Sequence, residues 1–311
     1  MSKIPVGATI ARAYRFAFRD FLQIFAVTWV TWVILSAAGF LLRNQMTDLS
    51  TAMAARDFHA VAHVWSILLP FYLVLLLLIF MQMIGIAEQA LGVRTGPRWF
   101  YFSLGGKLWR LIGSALLLML AMTLAWIAAI LGSLLVGVVM KWIGNAVPAI
   151  HIVTRLLSAV CFIAVWCAVF YAWIRLSFLL LPVVAAGESG MALARSWSLG
   201  KGNFWRMFVV LVAVLAPFIV VEMAVLFGFI MHGMPPFPPP HASAEQRMAF
   251  NAALQAHNTA MMGQMYGRWY ITFPLTGIFT ILFYGAAVGA QCFAWRALTE
   301  SAPVAGDGLP D

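Results

Sequence analysis

Six stretches of this chain stay apolar for long enough to cross a lipid bilayer: Phe21 to Leu42, Val64 to Ala87, Leu111 to Met140, Leu156 to Pro182, Phe208 to Met231 and Trp269 to Leu298. A hydrocarbon core about 30 Å thick takes roughly 20 residues of helix, and a helix pairs its own backbone N–H and C=O groups where no water is available to do so. The sequence therefore predicts an all-α polytopic membrane protein with six transmembrane helices. Composition removes the soluble alternative, because 64% of the 311 residues are apolar and only 9% are charged, against about 25% charged in an ordinary soluble domain. A water-soluble fold of this size would lack the polar side chains to cover its core. The same arithmetic excludes disorder, and three cysteines (Cys161, Cys167 and Cys292), all inside predicted spans, exclude a disulfide-built scaffold.

Lys and Arg mark the orientation, since the cytoplasmic side retains them. Thirteen of the nineteen lie on the side of the amino terminus and six on the other, two in each opposite loop. Both termini are expected in the cytoplasm, and the +9 charge is explained by membrane side rather than by nucleic-acid binding. Trp65, Trp99, Trp109, Trp142, Trp197, Trp205, Trp269 and Trp295 fall at or beside span ends, where an amphipathic ring prefers the headgroup layer. The first stretch exceeds a secretory h-region, which predicts that it is retained. The expected plan is one six-helix domain over residues 1–298, with an external Pro-rich loop and amphipathic helix over 232–268 and a flexible cytoplasmic tail over 299–311.

The segment ATIARAYRFAFRDF before the first span places Ile10, Ala13, Tyr14, Ala17, Phe18 and Phe21 at helical spacing, with Arg12, Arg15 and Arg19 opposite them. It reads as a helix lying in the cytoplasmic headgroup plane, where each Arg adds about 1 kcal/mol of attraction to anionic lipid. A helix packed on the protein's own cytoplasmic ends would use the same stripe. Arg98, Lys107, Arg110, Arg195, Lys201 and Arg206 are expected at the same headgroup level. Similar punctuation recurs in FRDFLQIF, GGKLWRLI and GNFWRMFV, which makes Phe21, Leu108 and Phe204 equivalent, with Gln23, Arg110 and Arg206 two residues later. Three units of one surface helix plus two spans follow, over 8–92, 97–187 and 189–298. Ser189 is the expected N-cap of the last surface helix, which stops at Gly200. Small residues form two packing seams, Ala125, Ala129, Ser133 and Gly137 in the third span and Gly277, Gly285 and Gly289 in the sixth, serving contacts within the chain or a homo-oligomer.

In the stretch RLSFLLLPVVAAGESGMALARSWSLGKGNFWR, Arg175, Ser177, Pro182, Glu188, Ser196 and Trp197, followed by Lys201, Gly202, Asn203, Trp205 and Arg206, carry a resemblance to a known family. The chain resembles the six-helix membrane domain found in some bacterial glycerophosphodiester phosphodiesterases and in related stand-alone inner-membrane proteins. The resemblance implies a six-helix fold in a bacterial cytoplasmic membrane. Hydrolysis in those enzymes belongs to a separate metal-binding barrel, which no part of these residues encodes, so catalysis is not carried over.

Glu222 is the one carboxylate well inside a span, and ionisable groups at that depth are expensive. It reads either as a proton relay or polar-substrate contact, or as a protonated structural carboxyl against a neighbouring helix. Arg175 is its natural partner to consider, although snorkelling accounts for that side chain more simply. Pro217, on the same helix, frees a carbonyl one turn before itself and invites a kink or an inserted water. His59 and His63 at four-residue spacing and the Met and His residues of the 232–268 loop read as surface features rather than metal ligands, and no cofactor is implied. The function expected is a non-enzymatic integral membrane protein that engages anionic lipid or a partner protein through its cytoplasmic helices. A transporter or permease for a small or lipid-like solute is the alternative, on the strength of Glu222, Pro217 and the repeat.

Overall fold

A computed structural model describes residues 3–94, 99, 101, 103–146, 151–231, 234–267 and 269–300. Among them run eleven helices and no strand. Six are long and apolar enough to cross a membrane: α2 (Phe21–Leu41), α4 (Phe58–Ala90), α5 (Gly106–Ala146), α6 (His151–Ser177), α9 (Phe204–Met231) and α11 (Trp269–Thr299). The chain is an all-α polytopic membrane protein. The remaining helices are α1 (Val6–Arg19), α3 (Arg43–Ala55), α7 (Leu180–Ala185), α8 (Ala192–Leu199) and α10 (Ala244–Gly267).

Three local features depart from the sequence reading. The fourth span, Ile152–Ala185, is interrupted after Ser177, ahead of Pro182, which cannot donate to the carbonyl four residues back, and the chain re-forms as α7, all six of whose residues are buried. Helix α8 starts after Met191 with no side-chain cap, so Ser189 does not cap it, while Gly200 ends it as expected. No helix precedes α5 among the described residues of 99–105, so the second unit lacks the expected surface helix there. On the opposite side, Ser243 and Gln246 form a capping box at the start of α10, with bonds of 3.2 and 3.0 Å.

Five spans close a ring in the order α4, α5, α6, α9, α11, each touching the next and α11 touching α4. Helix α2 packs outside the ring on α4 and α11. The buried core is gathered at one end, where α1, α7 and α8 meet the last turns of α4, α6 and α11 and the first turns of α5 and α9. Beyond Val214, no described residue of α9 is buried, and beyond Leu111 the only buried one of α5 is Ala129.

Helix α1 departs from the headgroup-plane expectation. Its stripe is buried against the chain itself: Ala13, Phe16 and Ala17 lie against the glycine face of α11, antiparallel to it. An added Cβ at Gly289 would stand 2.9 Å from Phe16 Cδ1, and one at Gly285 would stand 2.8 Å from Ile24 Cδ1 and 3.3 Å from Ala17 Cα. Gly277 is covered by the Trp32 indole in the same way. The α11 seam is therefore intramolecular, and the α5 seam faces α6 through Ala129 and the neighbouring Trp126–Trp166 pair. Gly285→Val should lower the thermal unfolding midpoint in detergent by the equivalent of about 1–3 kcal/mol of overpacking. Gly132→Val, on α5 with nothing within 4 Å of its added Cβ, should leave that midpoint in place.

Candidate functional site

The polar chemistry of the chain collects at the end that carries α1 and α8. Arg175, 7% exposed near the end of α6, lays its guanidinium 3.8 Å over the Trp197 ring and donates to the Trp197 carbonyl at 2.7 Å and to Tyr171 Oη at 2.9 Å. Ser196 Oγ returns a bond to the Arg175 carbonyl at 3.1 Å. A planar, always-charged fork that both stacks and donates fits this place where a lysine ammonium would not. In the turn between α7 and α8, Glu188 accepts from Arg195 Nε at 2.6 Å and from Trp295 Nε1 of α11 at 2.8 Å. Asn203 Oδ1 accepts from the Ile4 N–H at 3.2 Å, and Arg206 Nη1 donates to the Ile4 carbonyl at 2.8 Å, which fastens the amino-terminal segment to the start of α9. Arg110 donates to the Gly190 carbonyl at 2.6 Å, and Arg296 to the Leu91 carbonyl. The motif residues Arg175, Glu188, Ser196, Trp197, Asn203 and Arg206 are thus parts of one brace that ties α6, α8, α9, α11 and the amino terminus together.

A second cluster joins the end of α4 to the start of α5. Lys107 Nζ meets Glu88 Oε1 at 2.6 Å, Tyr101 Oη donates to Glu88 Oε2 at 3.1 Å, and Arg94 lies 4.9 Å over the Tyr101 ring. Burial first, and the Glu88 carboxylate second, push the Tyr101 phenol up to about 12. A phenol whose folded value lies above its ordinary 10 leaves stability unaffected below pH 10 and lowers it as pH climbs toward 12, where the unfolded chain ionises first. Tyrosinate absorbance should therefore include one residue titrating near pH 12, and Tyr101→Phe should remove both that step and its share of the alkaline loss of stability.

Pro217 frees the carbonyl of Ala213, as its lack of an N–H requires. The gap is filled by another helix rather than by water. Tyr14 of α1 reaches the Ala213 and Val214 carbonyls at 3.1 and 3.2 Å, and its ring stacks on Phe218 at 6.5 Å. Burial raises the Tyr14 phenol, which keeps it a donor. Proline position flagged the carbonyl in the sequence, but nothing there pointed to a hydroxyl 199 residues away. Tyr14→Phe should cost about 1 kcal/mol in the native background and close to nothing in Pro217→Ala, where the backbone N–H is restored. Equal costs in both backgrounds would mean that the hydroxyl does not serve that carbonyl.

The expected headgroup cations separate into two groups. Arg12, Arg15, Arg19 and Lys201 are exposed and make no ion pair or side-chain hydrogen bond among the described residues, whereas Lys107, Arg110, Arg195 and Arg206 are engaged in the contacts above. Arg98 lies outside the described residues. The Glu222–Arg175 pair does not form, because Arg175 is committed to Trp197 and Tyr171. Glu222 lies exposed in the part of α9 beyond Val214, among exposed Ile219, Val220, Val221, Met223 and Val225. The central cavity of the ring is not lined by it. His59 and His63 are exposed in the first turns of α4, whose N-terminus is capped by Asp57. Among the described residues no three of His, Cys, Asp and Glu come together as a metal group. No known protein family, curated protein or solved structure matches the chain.

Proposed function

We propose that this integral membrane protein is a non-enzymatic component of a bacterial inner membrane, with the α1–α8 end in the cytoplasm and its unpaired cations on anionic headgroups. The observation that carries the reading is the division of the cations at that end. Four are spent inside the protein, while Arg12, Arg15 and Arg19 project in a row from α1, away from its buried face, and Lys201 projects beside α9. With α1 anchored by its apolar stripe to α11, those three arginines are held at the rim of the spans without inserting a helix into lipid. The distribution of Lys and Arg supports the cytoplasmic assignment.

The brace bears on the repeat and on the family resemblance. Gln23, Arg110 and Arg206, equivalent in the repeat, each reach another segment at this end: Gln23 accepts from Gln89, Arg110 donates to Gly190 and Arg206 donates to Ile4. That shared habit supports three related units. Of the residues that carry the resemblance to the phosphodiesterase membrane domain, Arg175, Glu188, Ser196, Trp197, Asn203 and Arg206 are brace residues, which supports reading the likeness as one of architecture. The transporter alternative rested on Glu222, Pro217 and the repeat; Glu222 is absent from the wall of the central cavity and the Ala213 carbonyl that Pro217 frees is taken by Tyr14, which leaves the repeat as its support.

Reconstitution in nanodiscs tests the proposal. The thermal midpoint should be higher in phosphatidylglycerol than in phosphatidylcholine, with a difference that shrinks as salt rises. Arg12→Gln, Arg15→Gln and Arg19→Gln together should remove most of the difference, at about 1 kcal/mol for each cation. An identical midpoint in the two lipids would end the headgroup reading.

A further inference from the structure

A half-open cavity of about 270 Å³ lies among α4, α5, α6, α9 and α11. Every helix of the ring contributes to its wall, through Met83, Leu111, Ile174, Leu211 and Gln291, and Leu181 of α7 helps to close its floor. A second cavity of about 260 Å³, between α5 and α6, shares Trp173 with the first and extends to Trp126 and Trp166. From Phe178 to Trp166 the two cover twelve residues of chain, about 18 Å at the helical rise. Bonds of about 1.5 Å in a zigzag advance roughly 1.25 Å per carbon, so that length suits an extended chain of about fourteen carbons.

One wall residue is out of keeping with the rest. Gln291, half-buried on α11, makes no side-chain hydrogen bond among the described residues. A carboxamide left unpaired in hydrocarbon is costly, so the content that suits this cavity has apolar length and one hydrogen-bonding group. The level of the residue identifies that group. Gln291 lies four residues, about 6 Å, on the lipid side of Trp295, and Leu111 and Leu211 lie two and six residues on the lipid side of Trp109 and Trp205. Indole rings settle at the headgroup level, which puts Gln291 near the ester carbonyls of the adjacent leaflet.

We infer that this cavity binds one acyl chain of a bilayer phospholipid, the ester carbonyl accepting from the Gln291 carboxamide and the chain running past Trp173 toward Trp126 and Trp166. The site depends on shape and one hydrogen bond, separately from the exposed cations of α1, so a zwitterionic phospholipid fills it as well as an anionic one.

The test is photo-crosslinking of the detergent-solubilised chain by phosphatidylcholine with a diazirine in its acyl tail, titrated into the micelles, with palmitic acid carrying the same diazirine in parallel. Saturable adducts on peptides bearing Trp126, Trp166 and Trp173 are expected from the phospholipid. Gln291→Leu should weaken its apparent affinity about fivefold, the factor for one neutral hydrogen bond, without lowering the thermal midpoint. Ala115→Trp, which fills the cavity, should abolish the adducts, and if that variant does not fold, Gln291→Leu decides. Three results overturn the proposal: labelling spread over the outer faces of α5 and α9 and indifferent to Gln291, labelling by palmitic acid alone, or no saturable labelling of the cavity peptides. A failure here with the phosphatidylglycerol effect intact leaves the headgroup reading standing, and the reverse holds as well.

Discussion

Inside a bilayer an apolar side chain gains little by leaving lipid for the side of another helix, so six apolar helices need some other reason to stay together. This chain supplies it in two forms, both placed at one end. Small residues let backbones approach, as Gly277, Gly285 and Gly289 do for α1 and α2 on α11. Polar groups are spent on contacts that lipid cannot replace, as in the stacking of Arg175 on Trp197 and the Glu188 contacts to Arg195 and Trp295. The far half of α9 has little of either, and its Val and Ile side chains are accordingly left on the surface. A core gathered at one end follows from where the non-lipid interactions are available.

That constraint also explains which parts of the fold the sequence made legible. The spans were readable because bilayer thickness and backbone pairing act on each helix separately, and the cations because they act on each loop separately. The partner of an apolar stripe is different in kind. Ala13, Phe16 and Ala17 satisfy lipid and a neighbouring helix equally well, and only the matching glycines of α11, some 270 residues later, favour the helix. The break after Ser177 was harder to read, since Pro182 withholds a donor there as Pro70, Pro217 and Pro274 do inside α4, α9 and α11, which run on unbroken.

The candidate site was legible as a set of residues and illegible as a set of roles. Arg175, Glu188, Trp197, Asn203 and Arg206 stood out together through the motif, yet residue type alone made Arg206 and Arg110 indistinguishable from Arg12 and Arg15. The difference is whether a backbone carbonyl lies within reach, as Ile4 and Gly190 do, and that depends on long-range packing. Glu222 was singled out for the cost of its depth, a property of the helix it sits on, whereas its exposure follows from how little of α9 beyond Val214 other helices cover.

Helix α1 draws these strands together. It could be taken for an attachment at the edge of the bundle, since it crosses no lipid. Its Tyr14 hydroxyl nevertheless supplies the donor that Pro217 withholds from the Ala213 carbonyl, in a span where no water is on hand to do so. Removing α1 would therefore expose the glycine face of α11 and leave a carbonyl of α9 unpaired within the same stroke, two residues from the Leu211 side chain that walls the central cavity. The backbone accounting of α9 closes only when α1 is counted with it, which makes this short helix as much a part of the membrane fold as the spans it braces.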